Sequence, residues 1–298
     1  MNSAAKTKTL NAVRFALLLP TLANAQGNAE TVSERQCWQQ HVSERTKSRY
    51  TELTAVSFGN LSEGDQVASP FTVQLGIKGM GIAPAGKDVP KTGHHHLLID
   101  IQLPKDPTAA LPFSDNYVHF GKGQTNTLVK LAAGKHTLQL LFADHAHRPY
   151  FLFSPRVNIE VLEKEEPLTP QPNAADPNFQ VWCKRWYTHF RTAPRPSSQG
   201  VYFVNLRDGD VLNSPFIALM SVDGSFVGAK AAEAAGTGYF VIDVLKAAQK
   251  IDTVDLSNGA TQTEMFLPKG DYSLRLRMVD SGPGNGKIRP EQISVSVR

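Results

Sequence analysis

The sequence predicts an all-β chain: two tandem small antiparallel β-sandwiches, immunoglobulin-like in shape, each entered through a short irregular or helical lead-in. Three observations carry this reading. Short β-branched or alternating runs (FTVQLGI, HLLIDIQL, HTLQLLFA, RVNIEVL) are punctuated by Gly and Pro at spacings suited to a sandwich. Helical periodicity is weak, with AKAAEAAGTG and VLKAAQK reading at most as short insertions. The chain also repeats itself. FGNLSEGDQVASPF (Phe58 to Phe71) and FVNLRDGDVLNSPF (Phe203 to Phe216) share the frame F-x-N-L-x-x-G-D-x-x-x-S-P-F without a gap. GHHHLLID from Gly93 then faces GTGYFVID from Gly236, and Gly123 to Asp144 faces Gly259 to Asp280. Three blocks in one order mark a duplication.

In chain order, residues 1–25 combine Lys6, Lys8 and Arg14 with a short apolar stretch and Ala23-Asn24-Ala25, the pattern of a signal peptide cleaved after Ala25. Residues 26–54 form a lead-in, 55–162 a His-rich β-domain, 163–178 a Pro- and acid-rich linker, and 179–298 a degenerate second copy. The leader is too short to span a bilayer, and no later segment is apolar enough. The expected protein is periplasmic or secreted, without a membrane span. Without the three leader cations, 28 basic residues face 27 acidic ones, a net charge of +1, which argues against a nucleic-acid surface. Cys37 and Cys183 sit beside Trp38 and Trp182 in the two lead-ins, and an oxidising compartment makes a disulfide between them the expectation. Two isolated cysteines do not make a zinc knuckle.

The second copy serves as an internal control. Residues that both copies keep, such as Asp100 with Asp243, Asp144 with Asp280, the S-P-F triplets and the turn glycines, belong to the shared fold. The histidines behave oppositely. His94, His95, His96, His119, His136, His145 and His147, seven of nine, fall in copy one, facing Thr237, Gly238, Tyr239, Asp255, Tyr272, Ser281 and Pro283. A fold that dispenses with all seven in its sister copy does not need them for packing. His136 alternates in phase with Leu138 and Leu140, as Tyr272 does with Leu274 and Leu276, so it reads as a core or rim aromatic before it reads as a ligand.

Strand alternation sends His94 and His96 to one face and His95 to the other. His145 and His147 repeat the H-x-H spacing, and His119 precedes the Gly-rich bend FGKGQT. Two such pairs on neighbouring strands supply up to four imidazoles, a donor set suited to copper, zinc or nickel. Met80 is confined to copy one, facing Ser225, and a thioether beside imidazoles favours copper. The metal candidates are therefore His94, His96, His145, His147, His119 and Met80, with His95 and His136 ranked lower.

The strings SPFTVQLGIKGMGIAPAG, TGHHHLLID, HFGKGQT and GKHTLQLLFADHAH resemble the uncharacterised bacterial exported domain family called domain of unknown function 4399, over roughly residues 55 to 162. The resemblance implies a small exported β-domain with the histidines in its defining motif, and implies no activity. The expected function is an exported metal-binding protein, copper favoured and zinc the alternative, acting as carrier, buffer or assembly factor with no organic cofactor and with an envelope protein as candidate partner. The competing reading is a non-metal binding module for a glycan, peptide or protein, with HRPYFLF (His147 to Phe153) as its apolar patch. An enzyme is the weakest reading, because neither G-x-S-x-G nor H-E-x-x-H occurs, and no catalytic residue is assigned.

Overall fold

A computed structural model describes residues 30–47, 55–106, 108–164, 167–168, 172–195, 199–284 and 286–298; the expected leader and its cleavage site lie outside these residues. Copy one contributes β1 (Ala55–Phe58), β2 (Gln66–Val67), β3 (Phe71–Lys78), β4 (Gly81–Ile82), β5 (Thr92–Ile99), β6 (Tyr117–His119), β7 (Asn126–Val129), β8 (Gly134–Ala143), β9 (Pro149–Phe153) and β10 (Val157–Val161). Copy two contributes β11 (Gly200–Phe203), β12 (Asp210–Leu212), β13 (Phe216–Asp223), β14 (Phe226–Val227), β15 (Thr237–Lys246), β16 (Gln249–Asp255), β17 (Gln262–Met265), β18 (Gly270–Asp280) and β19 (Glu291–Val297). The lead-ins are helical: α1 (Val32–Gln40) and α2 (Val42–Thr46) before copy one, and α3 (Phe179–Thr192) before copy two.

Each copy is a sandwich of a small sheet on a large one, in the same order. The small sheets are β1-β3-β7 and β11-β13-β17; the large ones are β2-β10-β8-β5-β4 and β12-β19-β18-β15-β14. In copy one β6 also pairs with β5 and β9 with β8, and in copy two β16 pairs with β15. The long ladders are antiparallel, whereas the short pairs β2–β10, β4–β5, β12–β19 and β14–β15 are parallel. The segment VLKAAQK, expected as an insertion, is the β15–β16 hairpin, whose turn residues Ala247 and Ala248 both have positive φ, as a tight two-residue turn requires. AKAAEAAGTG holds a single 3-10 turn, Lys230–Ala232.

The pairing corrects the match between the copies by two residues. Gly81 and Ile82 of β4 face Thr92 and Gly93, and Phe226 and Val227 of β14 face Thr237 and Gly238. The large sheets agree, with Leu138 opposite Ile99 and Leu274 opposite Val244. His94, His95 and His96 therefore correspond to Tyr239, Phe240 and Val241, not to Thr237, Gly238 and Tyr239. Gly236 and Gly238 each offer a match for Gly93 in the sequence, and the strand pairing selects Gly238. A shift of two preserves the face of every side chain, so the loss of the histidines stands. The pairing of Asp100 with Asp243 does not: Asp243 takes the place of Leu98.

The two small sheets pack against each other, which explains why β3 is buried almost throughout despite its alternation. Phe71, Val73, Leu75 and Ile77 join a core that continues into copy two. Thr72 and Gln74 point into the seam, where Gln74 Nε2 donates to Tyr202 Oη at 3.0 Å and Thr72 Oγ1 donates to the Ala193 carbonyl at 3.2 Å. The lead-ins are exchanged across this seam. Trp38 Nε1 and Arg45 Nη2, from the lead-in of copy one, donate to Asp210 of copy two at 2.9 and 2.7 Å. Arg191, from the lead-in of copy two, reaches Asp65 of copy one at 3.2 Å. Asn205 Nδ2 donates to the Arg45 carbonyl and Asn60 Nδ2 to the Arg191 carbonyl, so the repeated N-L-x-x-G-D frame is the socket for the exchanged arginine. The buried Cys37–Cys183 disulfide joins the lead-ins, and Phe179, Trp182, Trp186 and Tyr187 form the buried stripe of α3 around it.

Candidate metal centre

The site lies on the outer face of the large sheet of copy one, away from the shared core. Strand β5 is buried along its full length, and its alternation divides the three histidines. His95 turns inward and meets Phe142 edge to face at 5.0 Å. His94 and His96 turn outward, and His94 Nε2 and His96 Nε2 lie 3.1 Å apart. His119, on β6, pairs directly across from His96. Its ring occupies space that only a glycine at 121 leaves free: a Cβ there would fall 2.2 Å from His119 Cε1.

His147 arrives from the β8–β9 turn. Asp144 Oδ1 accepts the N–H groups of Ala146 and Arg148 at 2.8 Å, and the Asp144 carbonyl accepts His147 N–H at 3.0 Å. With φ of 64° at His147, this turn delivers its ring to the cluster, where His147 Nε2 and His119 Nε2 lie 3.1 Å apart. Ring centroids among His94, His96, His119 and His147 span 4.6–6.0 Å, the widest pair being His96 with His147. One ring nitrogen each from His94, His119 and His147 falls within 4.8 Å of the other two, and His96 joins through His94. This group can hold a metal ion.

The remaining candidates stand elsewhere. The extended H-x-H geometry expected for His145 and His147 does not form, because the segment is a turn; His145 Nδ1 instead faces Asp88 at 3.4 Å. Met80 is partly buried and packs against the core. His136 Nδ1–H donates to Asp100 at 2.8 Å and Nε2–H to the Ala132 carbonyl at 2.9 Å, so it keeps no lone pair for an ion. Tyr272 makes the same link, its hydroxyl donating to the Pro268 carbonyl at 2.9 Å. Cys37, Cys183 and His41 also lie close together, but both sulfurs are spent in the disulfide.

Burial sets the charge state of the cluster. His94 and His96 are 0% exposed. Desolvation, reinforced by the neighbouring imidazoles, pushes His94 down to about 3 and His96 down to about 2. Desolvation alone pushes His95 to about 3, and desolvation with His147 lowers His119. His94, His96 and His119 are therefore held in the neutral form at physiological pH, the form that ligates a metal. Nδ1 of His94 and of His96, like both ring nitrogens of the inward His95, has no hydrogen-bond partner, a costly state for buried polar atoms. Four imidazoles around a tetrahedral ion with metal–nitrogen bonds of about 2.0–2.1 Å would sit roughly 3.3 Å apart. The two 3.1 Å pairs are close to that already.

The sequence reading missed Phe113. Its ring stands edge-on to His119 at 5.0 Å and to His147 at 5.2 Å. It lies on the connection between β5 and β6, which carries no periodic signal.

Residues 73–162 match the model of a family described as Domain of unknown function (DUF4399), a span that contains all four clustered histidines. No curated protein matches the chain. Among solved structures, the fibronectin(III)-like modules of Clostridium thermocellum CbhA are 9% identical, with 82% of this chain and 94% of that one covered and a TM-score of 0.23. A two-domain fibronectin type-III segment of chicken tenascin is 10% identical, with 82% and 99% covered and a TM-score of 0.21. The sandwich assignment rests on the sheet orders themselves. No helix among the described residues is long and apolar enough to cross a membrane.

Proposed function

We propose that this protein is an exported metal-binding protein of the cell envelope, copper favoured, acting as carrier, buffer or assembly factor. The observation that carries the reading is the convergence of four imidazoles from three separate chain segments, two of them fully buried. An all-imidazole set suits copper and zinc, and intrinsic affinity runs higher for Cu(II) than for Zn(II). With Met80 outside the cluster, the preference for copper rests on the nitrogen donors. The basic, apolar leader pattern and the Cys37–Cys183 disulfide both fit an oxidising, exported setting.

Titration of the protein with Cu(II), Cu(I) and Zn(II) against a competing chelator tests this. The expected result is one ion per chain bound more tightly than about micromolar, lost when His94, His96, His119 and His147 are all changed to Ala. His119→Ala alone, at a partly buried ring, should weaken binding without unfolding, and His145→Ala should leave it unchanged. Wild-type protein that binds no metal more tightly than micromolar overturns the proposal. The alternative of a chelator-indifferent binding module then gains ground, because Tyr150, Phe151 and Phe153 of β9 are 43–46% exposed.

A further inference from the structure

The duplication isolates a second feature found only beside the histidines. His119 and Asp255 are equivalent, facing His96 and Val241. In copy two a two-residue turn, Ala247 and Ala248, links β15 to β16. In copy one residues 100–116 separate β5 from β6. The extra chain folds back over the outer face of the sheet. Leu111 is buried with Leu98, Leu141 and Ala143, and Leu111 N–H donates to the His147 carbonyl at 2.9 Å. That anchor holds Phe113, two residues on, against the two histidines that retain exposure.

From this we infer that Phe113 closes the open side of the histidine cluster, so that this connection sets which additional ligands reach a bound ion and how fast the ion leaves. The inference rests on the metal-binding reading above. His94 and His96 are sealed by the sheet beneath them and leave no approach from their side. His119 and His147 form the outer pair, and the edge of Phe113 meets both rings at once. Four imidazoles complete a four-coordinate site, and a fifth position is usable only where the site is left open. The phenyl ring offers that position no donor and occupies the approach to it. Phe113 is itself 65% exposed, so it caps the site from the solvent side and can be removed without excavating a core.

The test loads wild type, Phe113→Ala and Phe113→Leu with one equivalent of Cu(II), adds sodium azide, and follows the azide-to-copper absorption band; ion loss to excess chelator is timed in parallel. The inference expects no azide band in wild type, a clear band in Phe113→Ala, and near-wild-type behaviour in Phe113→Leu, which keeps an apolar cap. Phe113→Ala should release copper at least about tenfold faster, with the change carried mainly by the off-rate. An azide band of equal strength in wild type and Phe113→Ala, or equal release rates, overturns the inference while leaving metal binding intact. Failure of the wild type to take up copper at all overturns the metal-binding reading and this inference with it.

Discussion

The outer face of the large sheet is built twice in this chain, and the two versions are opposites. In copy two Asp243 pairs with Arg277 at 2.9 Å and with Lys250 at 3.7 Å, a charged group whose two cations reach water while the carboxylate lies largely beneath them. In copy one the same positions hold Leu98 and Leu141, buried at 0 and 1% exposure under the β5–β6 connection, with the histidines beside them. Both copies keep the inward stripe almost unchanged: Leu97, Ile99, Leu138 and Leu140 against Ile242, Val244, Leu274 and Leu276. The inner stripe specifies the sandwich, and the outer face is free to diverge.

Exchanging the two outer faces should break this comparison most visibly. Leu98→Asp with Leu141→Arg places an ion pair where no water reaches, and should cost on the order of 3 kcal/mol or more in urea unfolding. Asp243→Leu with Arg277→Leu removes a partly exposed pair and should change stability by less than about 1 kcal/mol. Equal costs would mean that the two faces are not differently covered.

Copy two has its own buried titrating group. Glu291 is pushed up to about 7 by burial, against the opposing pull of the Phe203 N–H bond, Arg195 and Arg289. A carboxyl with a raised folded pKa contributes stability that is fully present below its unfolded value near 4.5 and is lost as pH rises through 7. Glu291→Gln should therefore gain on the wild type by about 3 kcal/mol between pH 4.5 and 8, read as the pH dependence of the urea midpoint. Parallel profiles would place Glu291 in contact with solvent.

The smallest effect is expected at His136. Burial works against its protonation, but the bonds to Asp100 and the Ala132 carbonyl outweigh this and raise its pKa. His136→Tyr should reproduce the Tyr272 link, cost about 1 kcal/mol or less for the lost Asp100 bond, and leave metal affinity unchanged. A loss of metal binding would instead tie this rim position to the cluster.

Much of this arrangement was legible in the chain. The alternation of β5 places His94 and His96 together, the duplication singles out the histidines, and the phase of His136 marks it as the counterpart of Tyr272. The failures share one cause: local pattern does not reveal where a turn sends the chain. D-H-A-H reads as an extended pair until Asp144 folds it over, so that His147 enters the cluster and His145 leaves it. His119 joined the cluster through a strand pairing, and Phe113 through an aperiodic connection anchored by one buried leucine. The two-residue misalignment at Gly93 arose because nearby glycines are interchangeable in sequence but not in a parallel bridge.

The exchanged lead-ins also impose an order on assembly. The asparagine that grips Arg45 lies 160 residues further along the chain, so α1 and α2 have no seat until copy two has been made. Copy one in turn waits for Arg191, 131 residues beyond Asn60, before its own socket is filled. A half-synthesised chain thus has a sandwich without its cap and a cap without its sandwich. Neither half reaches its final form ahead of the other, and the copy that lacks the histidine cluster becomes a condition for finishing the one that has it.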